Sequence, residues 1–250
     1  MKMFKYLRKI KKQNTKWFRD DYKVFSELSK NINKGDFSLS NKYPCVGDKF
    51  AQSGSTSGAY FLQDIYVARE IYKANPQKHI DIASRIDGFV AHVAVFREIE
   101  IFDIRPLKVC DKNMGFRQAN LMDLNNLYIN YCDSISCLHS IEHFGLGRYG
   151  DPIDPNGHLK GIENIAKILK TNGIFYFSVP LGKNRVEFNA QRVFSLRYLL
   201  DWVMEKFKII KFSYIDDDFM LHENVDITEE TINNDCGCKC GCAIFTLQKK

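Results

Sequence analysis

Apolar positions change their period near residue 78 of this chain. Before that point, Ile65, Ala68, Ile71 and Tyr72 recur at helical spacing within 59–73. Asn75-Pro76 ends the run, because the residue before a proline is steered away from helical geometry. After it, short apolar runs at 79–84, 98–102, near 120–123, 134–138, 174–179, 207–214 and 243–248 read as strands. Helical stretches separate them. One follows Gly88, and one over 161–170 carries Ile162, Ile165, Ile168 and Leu169 and is stopped by Thr171-Asn172-Gly173. Another over 196–206 is capped by Ser195 and carries Leu199, Leu200, Val203 and Met204. This alternation predicts an α/β fold built on a Rossmann-like, mostly parallel, seven-stranded sheet.

The N-terminal quarter has a different character. Residues 2–30 read as two basic, aromatic helices, and 31–57 as loop, rich in Asn, Gly, Ser and Lys. The expected organisation is a helical extension with a loop over 1–57, then one domain over 58–250. A chain of 250 residues can build such a domain with a full core.

Charge sharpens the division. The chain carries +6, yet its first 16 residues alone carry +7 with no acid, which leaves the body close to neutral. A neutral body argues against gripping long nucleic acids by counterion release, so no nucleic-acid partner is expected. Met3, Phe4, Leu7 and Ile10 fall at helical spacing in the basic arm, which therefore reads either as a solvated helix or as a peripheral contact with an anionic membrane surface. No apolar run is long enough for a membrane span, and no secretory signal opens the chain, so a cytoplasmic protein is expected. Of eight cysteines, Cys132 and Cys137 look like small core residues. Cys236, Cys238, Cys240 and Cys242 alternate along one stretch that reads as extended, a spacing poorly suited to tetrahedral metal closure.

Candidate chemistry gathers at the strand ends. Asp81, Asp103 and Asp123 close or follow successive strands, where ligands of open parallel sheets bind and an acid can grip ribose hydroxyls, so a nucleoside cofactor is indicated. A Gly-x-Gly-x-x-Gly turn is absent, which disfavours a nicotinamide-type site. After the fourth strand, His139, Glu142 and His143 stand at i, i+3 and i+4 and share a face if helical. They suit a divalent ion (Mg, Mn or Fe), a metal-free general base oriented by Glu142, or a purely structural cap. The loop 145–158 offers Arg148 for a phosphate or carboxylate and Asp151 and Asp154 for sugar hydroxyls, while Lys183, Arg185 and Arg192 form a second basic stretch.

Over 77–249 this order of parts resembles the class I S-adenosylmethionine-dependent methyltransferases. The resemblance implies a single methyltransferase domain with an antiparallel last strand and S-adenosylmethionine as cofactor. It implies that Asp81, Ala83, Ser84, Arg85 and Gly88 form the turn at the methionine end, with Asp103 and Ile104 at ribose and Asp123 and Leu124 at adenine. Ser140 completes the cofactor set. The chain departs from that family's glycine turn at Ala83, Arg85 and Asp87. The trio is similar to the acid-x-x-Glu-His motif of metal-dependent O-methyltransferases, with His139 in the first place. The run Gly-Leu-Gly-Arg-Tyr-Gly-Asp-Pro-Ile-Asp-Pro over 145–155, with Tyr43-Pro44-Cys45, resembles a bacterial domain-of-unknown-function family found in capsule and lipopolysaccharide gene clusters.

Together these resemblances imply methyl transfer to a hydroxyl of a nucleotide-activated sugar or capsular polysaccharide precursor, for example a heptose. Catalysis would fall to His139, Glu142 and His143, with or without a metal held by the same three. Arg148, Tyr149, Asp151, Asp154 and Arg192 would place the substrate. Methylation of a capsule phosphate or phosphoramidate, methylation of small RNA, and a non-catalytic scaffold are the alternatives. The oligomeric state is not indicated.

Overall fold

A computed structural model describes residues 15–32, 37, 39–109, 111–124 and 128–250. The basic arm with Met3, Phe4, Leu7 and Ile10 lies outside the described residues, as does Cys110. The chain divides into two compact units, one ending at Ser55 and one running from Thr56 to Lys250. In the first, helix α1 (Lys16–Ile32) sets Asp21 against Lys49 at 2.6 Å, and Lys49 lies over the Trp17 ring. Residues 39–55 hold turns but neither helix nor strand.

The second unit opens with α2 (Ala59–Ala74), which ends where Asn75 turns left-handed and its N–H reaches Ile71 O at 2.9 Å. Then follow β1 (His79–Ile82), a wide turn at Ile86–Val90 running into α3 (Ala91–Ala94), β2 (Ile99–Asp103), β3 (Met114–Gln118) and β4 (Cys132–Leu138). Helix α4 (Gly157–Ile168) leads directly into β5 (Leu169–Leu181), and a hairpin of β6 (Arg185–Glu187) and β7 (Gln191–Val193) precedes α5 (Leu196–Met204). The chain closes with β8 (Phe207–Ile215), β9 (Leu221–His222), α6 (Glu229–Asn233) and β10 (Gly241–Lys249).

The main sheet has the order β3-β2-β1-β4-β5-β10-β8-β9. Strands β1 to β5 pair in parallel, and β10 runs antiparallel between β5 and β8, as expected of a last strand inserted late. The sheet counts eight strands rather than seven because two-residue β9 adds to the outer edge of β8. One face packs Ile162, Ile165, Leu199 and Val203 of α4 and α5, and the other Val67, Ile71, Phe89 and Val93 of α2 and the 86–94 segment.

Three local expectations are corrected. The third strand lies at Met114–Gln118, not near 120–123, because the polar-flanked run Met114–Gln118 pairs in parallel with β2 and the Asn120 segment has already left the sheet. Helix α4 begins and ends earlier, so the left-handed Asn172 (φ 64°) bends the start of β5 instead of capping a helix. The four late cysteines do not share one extended segment. Cys236 sits in a tight turn with φ 56°, and only Cys242 lies on β10.

The central strand pair is polar where it approaches the sheet's carboxyl end. Register places His79 opposite Ser134 and Asp81 opposite Ser136. Ser136 Oγ donates to Asp81 Oδ1 at 2.6 Å, so its oxygen accepts from His79 Nε2 at 3.1 Å, and Ser134 Oγ donates to His79 Nδ1 at 2.8 Å. Complete burial drives the His79 pKa down to about 3, and it is this neutral ring whose Nδ1 accepts from Ser134.

The unfolded histidine titrates near 6.5, so between roughly pH 6.5 and 3 the unfolded chain holds a proton that the folded chain lacks. Stability from this group is full above that window and is lost as pH falls. In urea unfolding from pH 7 to 5, His79 is expected to contribute a fall in stability of as much as about 1.4 kcal/mol per pH unit, set against an opposite contribution from Asp81, whose pKa is raised to about 6. His79→Asn should flatten that slope, and an equal slope in both proteins would refute the assignment.

Candidate active site

The carboxyl ends of β1, β2, β3 and β4 open onto one cavity of about 540 Å³. It lies where the strand order reverses between β1 and β4, the usual crevice of an open α/β sheet. Ala83, Ser84 and Arg85 line it from the turn after β1, and Asp103, Ile104 and Arg105 from the end of β2. Asn120, Leu121 and Met122 follow β3, and His139, Ser140 and His143 follow β4. Tyr60 of α2 and Arg148, Tyr149 and Asp151 of the 145–158 loop close it.

The first turn is made without its expected glycines. Ala83 adopts φ 53°, a left-handed conformation that costs an L-residue about 1 kcal/mol, and its N–H donates to Phe102 O at 2.9 Å. Asp81 does not line the cavity. It is fully buried, accepting from Ser84 N at 2.9 Å, Ser84 Oγ at 2.6 Å and Ser136 Oγ at 2.6 Å. Burial nevertheless raises its pKa to about 6 against those three bonds. Gly88 also lies outside the cavity wall. A Cβ there would stand 2.5 Å from Asp64 Oδ2, so the glycine admits that buried carboxylate. Arg85 turns to Asp87 at 3.2 Å and lies over the Tyr60 ring at 5.5 Å.

Asp103 points into the cavity but is engaged. Oδ1 accepts from Arg105 N at 2.8 Å and Nε at 3.1 Å, and Oδ2 from Arg105 Nη2 at 2.7 Å. One lone pair of Oδ2 is left for a ribose hydroxyl. Asp123 and Leu124 stand outside the cavity wall, and Asp123 is exposed. The cause is the early end of β3, which brings Asn120–Met122 past the adenine end instead.

The three do not share one helical turn: Glu142 and His143 lie in a short turn, Ile141–His143, whereas His139 precedes it in a left-handed conformation (φ 47°) with its N–H held by Ser178 O at 3.0 Å. Glu142 is fully buried. His139 Nδ1 approaches Glu142 Oε1 at 3.2 Å and His143 Nε2 approaches the same oxygen at 3.6 Å. Burial alone would depress His139, but the Cys242 sulfur and the Glu142 carboxylate overcome it and hold the imidazolium well above its usual range. His143 goes the other way, lowered by burial despite Glu142. Its Nδ1 lies 2.6 Å from Ala190 O, and a carbonyl only accepts, so Nδ1 carries the proton and Nε2 a free lone pair. The trio is thus an ion pair beside a neutral base. Among the described residues no group of three His, Cys, Asp or Glu is placed to hold a metal. The donor set does not fit the expected ion.

The loop after the trio is tied from within. Asp151 accepts from Gly145 N, Gly147 N and Tyr149 N at 2.7–3.1 Å, and Asp154 pairs with Lys160 at 2.6 Å away from the cavity. Arg192 also lies outside the wall. Its buried guanidinium donates to the carbonyls of Glu142, Phe144, Asp154 and Pro155 and so holds the two ends of the loop together rather than facing a substrate. Arg148 and Tyr149 do face the cavity.

Residues 103–247 match the family model described as "Caenorhabditis protein of unknown function, DUF268", which is more than half of the chain. The chain belongs to the DUF268 family. That description makes no reference to capsule or lipopolysaccharide genes, and no curated protein matches the DUF268 chain in sequence. Solved structures share its fold at low identity. The [4+2]-cyclase SpnF aligns with a TM-score of 0.55 and 12% identity over 79% of this chain and 85% of that one. A putative sarcosine dimethylglycine methyltransferase from Galdieria sulphuraria gives 0.53 and 13% over 75% and 85%. The N-methyltransferase NodS from Bradyrhizobium japonicum WM9, in complex with S-adenosylhomocysteine, gives 0.50 and 9% over 76% and 87%. The DUF268 chain therefore has the Rossmann-like fold of class I methyltransferases.

Several lining residues carry weak sequence signals. Arg105 stands two residues after a strand-end acid, which places its guanidinium back on that acid. Tyr60 opens a helix directly after the glycine-rich tract, and nothing in the periodicity marks its end as facing a site.

The loop's glycines give a direct test. Gly145 has φ 80°, and a Cβ would stand 1.9 Å from Asp154 O, whereas Gly150 has φ 82° with nothing within 4 Å. Gly150→Ala is expected to cost about 1–2 kcal/mol from backbone alone. Gly145→Ala should cost at least about 3 kcal/mol, since a backbone clash adds to the same strain. Equal losses in urea unfolding would contradict this loop geometry.

Proposed function

We propose that this DUF268 protein is an S-adenosylmethionine-dependent O-methyltransferase. Its acceptor is a hydroxyl of a nucleotide-activated sugar or capsular polysaccharide precursor such as a heptose. The observation that carries the reading is convergence: the β1 turn, Asp103 and Asn120–Met122 line one wall of a single cavity, and His139 and His143 line the facing end. Ala83, Ser84 and Arg85 would hold the methionine end, Asp103 the ribose and Asn120–Met122 the adenine. The bound cofactor supplies an electrophilic methyl group on a sulfonium.

The chain's own groups supply the rest. His143 Nε2, unprotonated and in the cavity wall, takes the acceptor hydroxyl's proton as the oxygen bonds to the methyl carbon and the carbon–sulfur bond breaks. Glu142, 3.6 Å from Nε2, stabilises the imidazolium that results. His139 Nδ1, 3.2 Å from Glu142 Oε1, sets a positive charge against the carboxylate. No step is assigned to a metal. The sugar and its capsule or lipopolysaccharide setting rest on the sequence resemblance of residues 145–155 and on Arg148 in the cavity wall. A nucleotide sugar and the seven unpaired cysteines among the described residues fit a cytoplasmic enzyme. Among the described residues no helix is long and apolar enough to cross a membrane.

One observation favours a second reading. Arg105 already engages both oxygens of Asp103, as a scaffold protein that no longer binds a nucleoside would permit.

Calorimetric titration with S-adenosylhomocysteine separates the two, with micromolar binding expected for the enzyme and none at millimolar ligand for the scaffold. With radiolabelled S-adenosylmethionine and a panel of nucleotide sugars, His143→Asn and Glu142→Gln should each lower turnover about 10²–10⁴-fold. Both should bind S-adenosylhomocysteine within a few-fold of wild type. Full activity in either variant would place the reaction elsewhere.

A further inference from the structure

Each cavity-facing histidine carries a tyrosine. The Tyr60 ring lies 5.0 Å from that of His139, tilted by 59°, and the Tyr149 ring lies 5.3 Å from that of His143, edge to face. The two tyrosines come from distant parts of the unit, α2 and the 145–158 loop, and Tyr60 precedes the family-matched segment. Each also carries guanidinium groups. Arg85 lies over Tyr60 at 5.5 Å, and Arg105 and Arg148 lie over Tyr149 at 4.4 Å and 5.1 Å.

These three cations are not equivalent. Arg85 is neutralised by Asp87 and Arg105 by Asp103. Arg148 spends one N–H on Ala190 O at 3.0 Å, and among the described residues it pairs with no acid. A cation in a cavity mouth whose guanidinium retains free donors is a site for an anion, and planar phosphate or carboxylate recognition is what that fork does best. Aromatic walls with a few placed polar groups are the usual make-up of a small-ligand slot.

We propose that Tyr60 and Tyr149 are the walls of the acceptor slot and that Arg148 binds a phosphate of the acceptor. A sugar ring then packs its C–H face on a tyrosine, with a hydroxyl turned toward His143. This rests on the methyltransferase reading for the hydroxyl's fate but not for the slot itself. Tyr60 becomes a specificity-determining residue contributed from outside the family-matched segment.

The test titrates UDP-glucose, GDP-mannose and pyrophosphate separately into protein saturated with S-adenosylhomocysteine. Wild type is expected to bind the sugar nucleotides more tightly than pyrophosphate. Tyr60→Ala should weaken the sugar nucleotides at least tenfold and leave pyrophosphate unchanged, whereas Tyr60→Phe, which keeps the ring, stays within threefold of wild type. Arg148→Ala should weaken all three probes. S-adenosylhomocysteine affinity serves as the folding control and should stay within a few-fold in every variant. If none of the probes binds at millimolar concentration, or if Tyr60→Ala weakens pyrophosphate as much as the sugars, the slot is refuted. If S-adenosylhomocysteine itself fails to bind wild type, the methyltransferase reading falls, and the same three titrations on the free protein still decide the slot.

Discussion

Asp81 is a carboxylate sealed between two central strands, and the site's geometry hangs on how its charge is met. Isolated in a dry interior, such a group costs several kcal/mol, so its three donors are structural necessities. One oxygen takes Ser84 Oγ and Ser136 Oγ, and the other takes Ser84 N. Ser84 Oγ in turn accepts from Leu138 N at 3.1 Å, one residue before His139. The turn that would face the cofactor and the start of the histidine segment are therefore set by the same carboxylate. A shift in Asp81 moves both sides of the cavity relative to each other, and reactions that depend on positioning are sensitive to displacements of an ångström.

A second layer of charge shapes the loop. Arg192 and Asp151 look like substrate residues by type, yet their polar atoms are used on backbone, the one on four carbonyls and the other on three amides. The loop holds three left-handed glycines, at 145, 147 and 150, which leaves its backbone groups unable to pair in a regular ladder. Buried Arg192 and half-buried Asp151 satisfy them instead. With the loop rigid, Tyr149 and Arg148 are presented to the cavity from a fixed frame, and Ala190 O receives both His143 Nδ1 and Arg148 Nη1.

Periodicity carried the strand–helix order and the Ser195 cap, whose oxygen accepts from Tyr198 N at 3.2 Å. These are properties of local pattern and burial, which a sequence displays. The third strand escaped because Met114–Gln118 alternates weakly at the sheet's edge, and its five residues include Gly, Arg and Gln. Asp123 was misplaced as a consequence. At the site, residue type and spacing located the right strand ends but could not show which lone pairs were already taken. Asp103 and Arg192 differ in that respect only in three dimensions. The histidine trio reads as a metal set in one dimension because spacing reveals a shared face and not a protonation state.

That protonation state explains why two histidines flank one acid. A buried carboxylate is costly without a charged partner beside it. Cys242 and Glu142 raise the His139 pKa well above its usual range, and β5 holds that residue in a strained backbone position through Ser178. The pair is then neutral overall, so it neither repels an approaching sulfonium nor traps it away from the acceptor. Glu142 Oε1 still faces His143 Nε2, and its attraction grows only once that nitrogen takes a proton. An interaction that strengthens as charge develops accelerates a reaction, whereas one present throughout only tightens binding. On the proposed methyltransferase reading, His139 would make the carboxylate tolerable at rest, and Glu142 would reserve its effect for the moment of proton transfer.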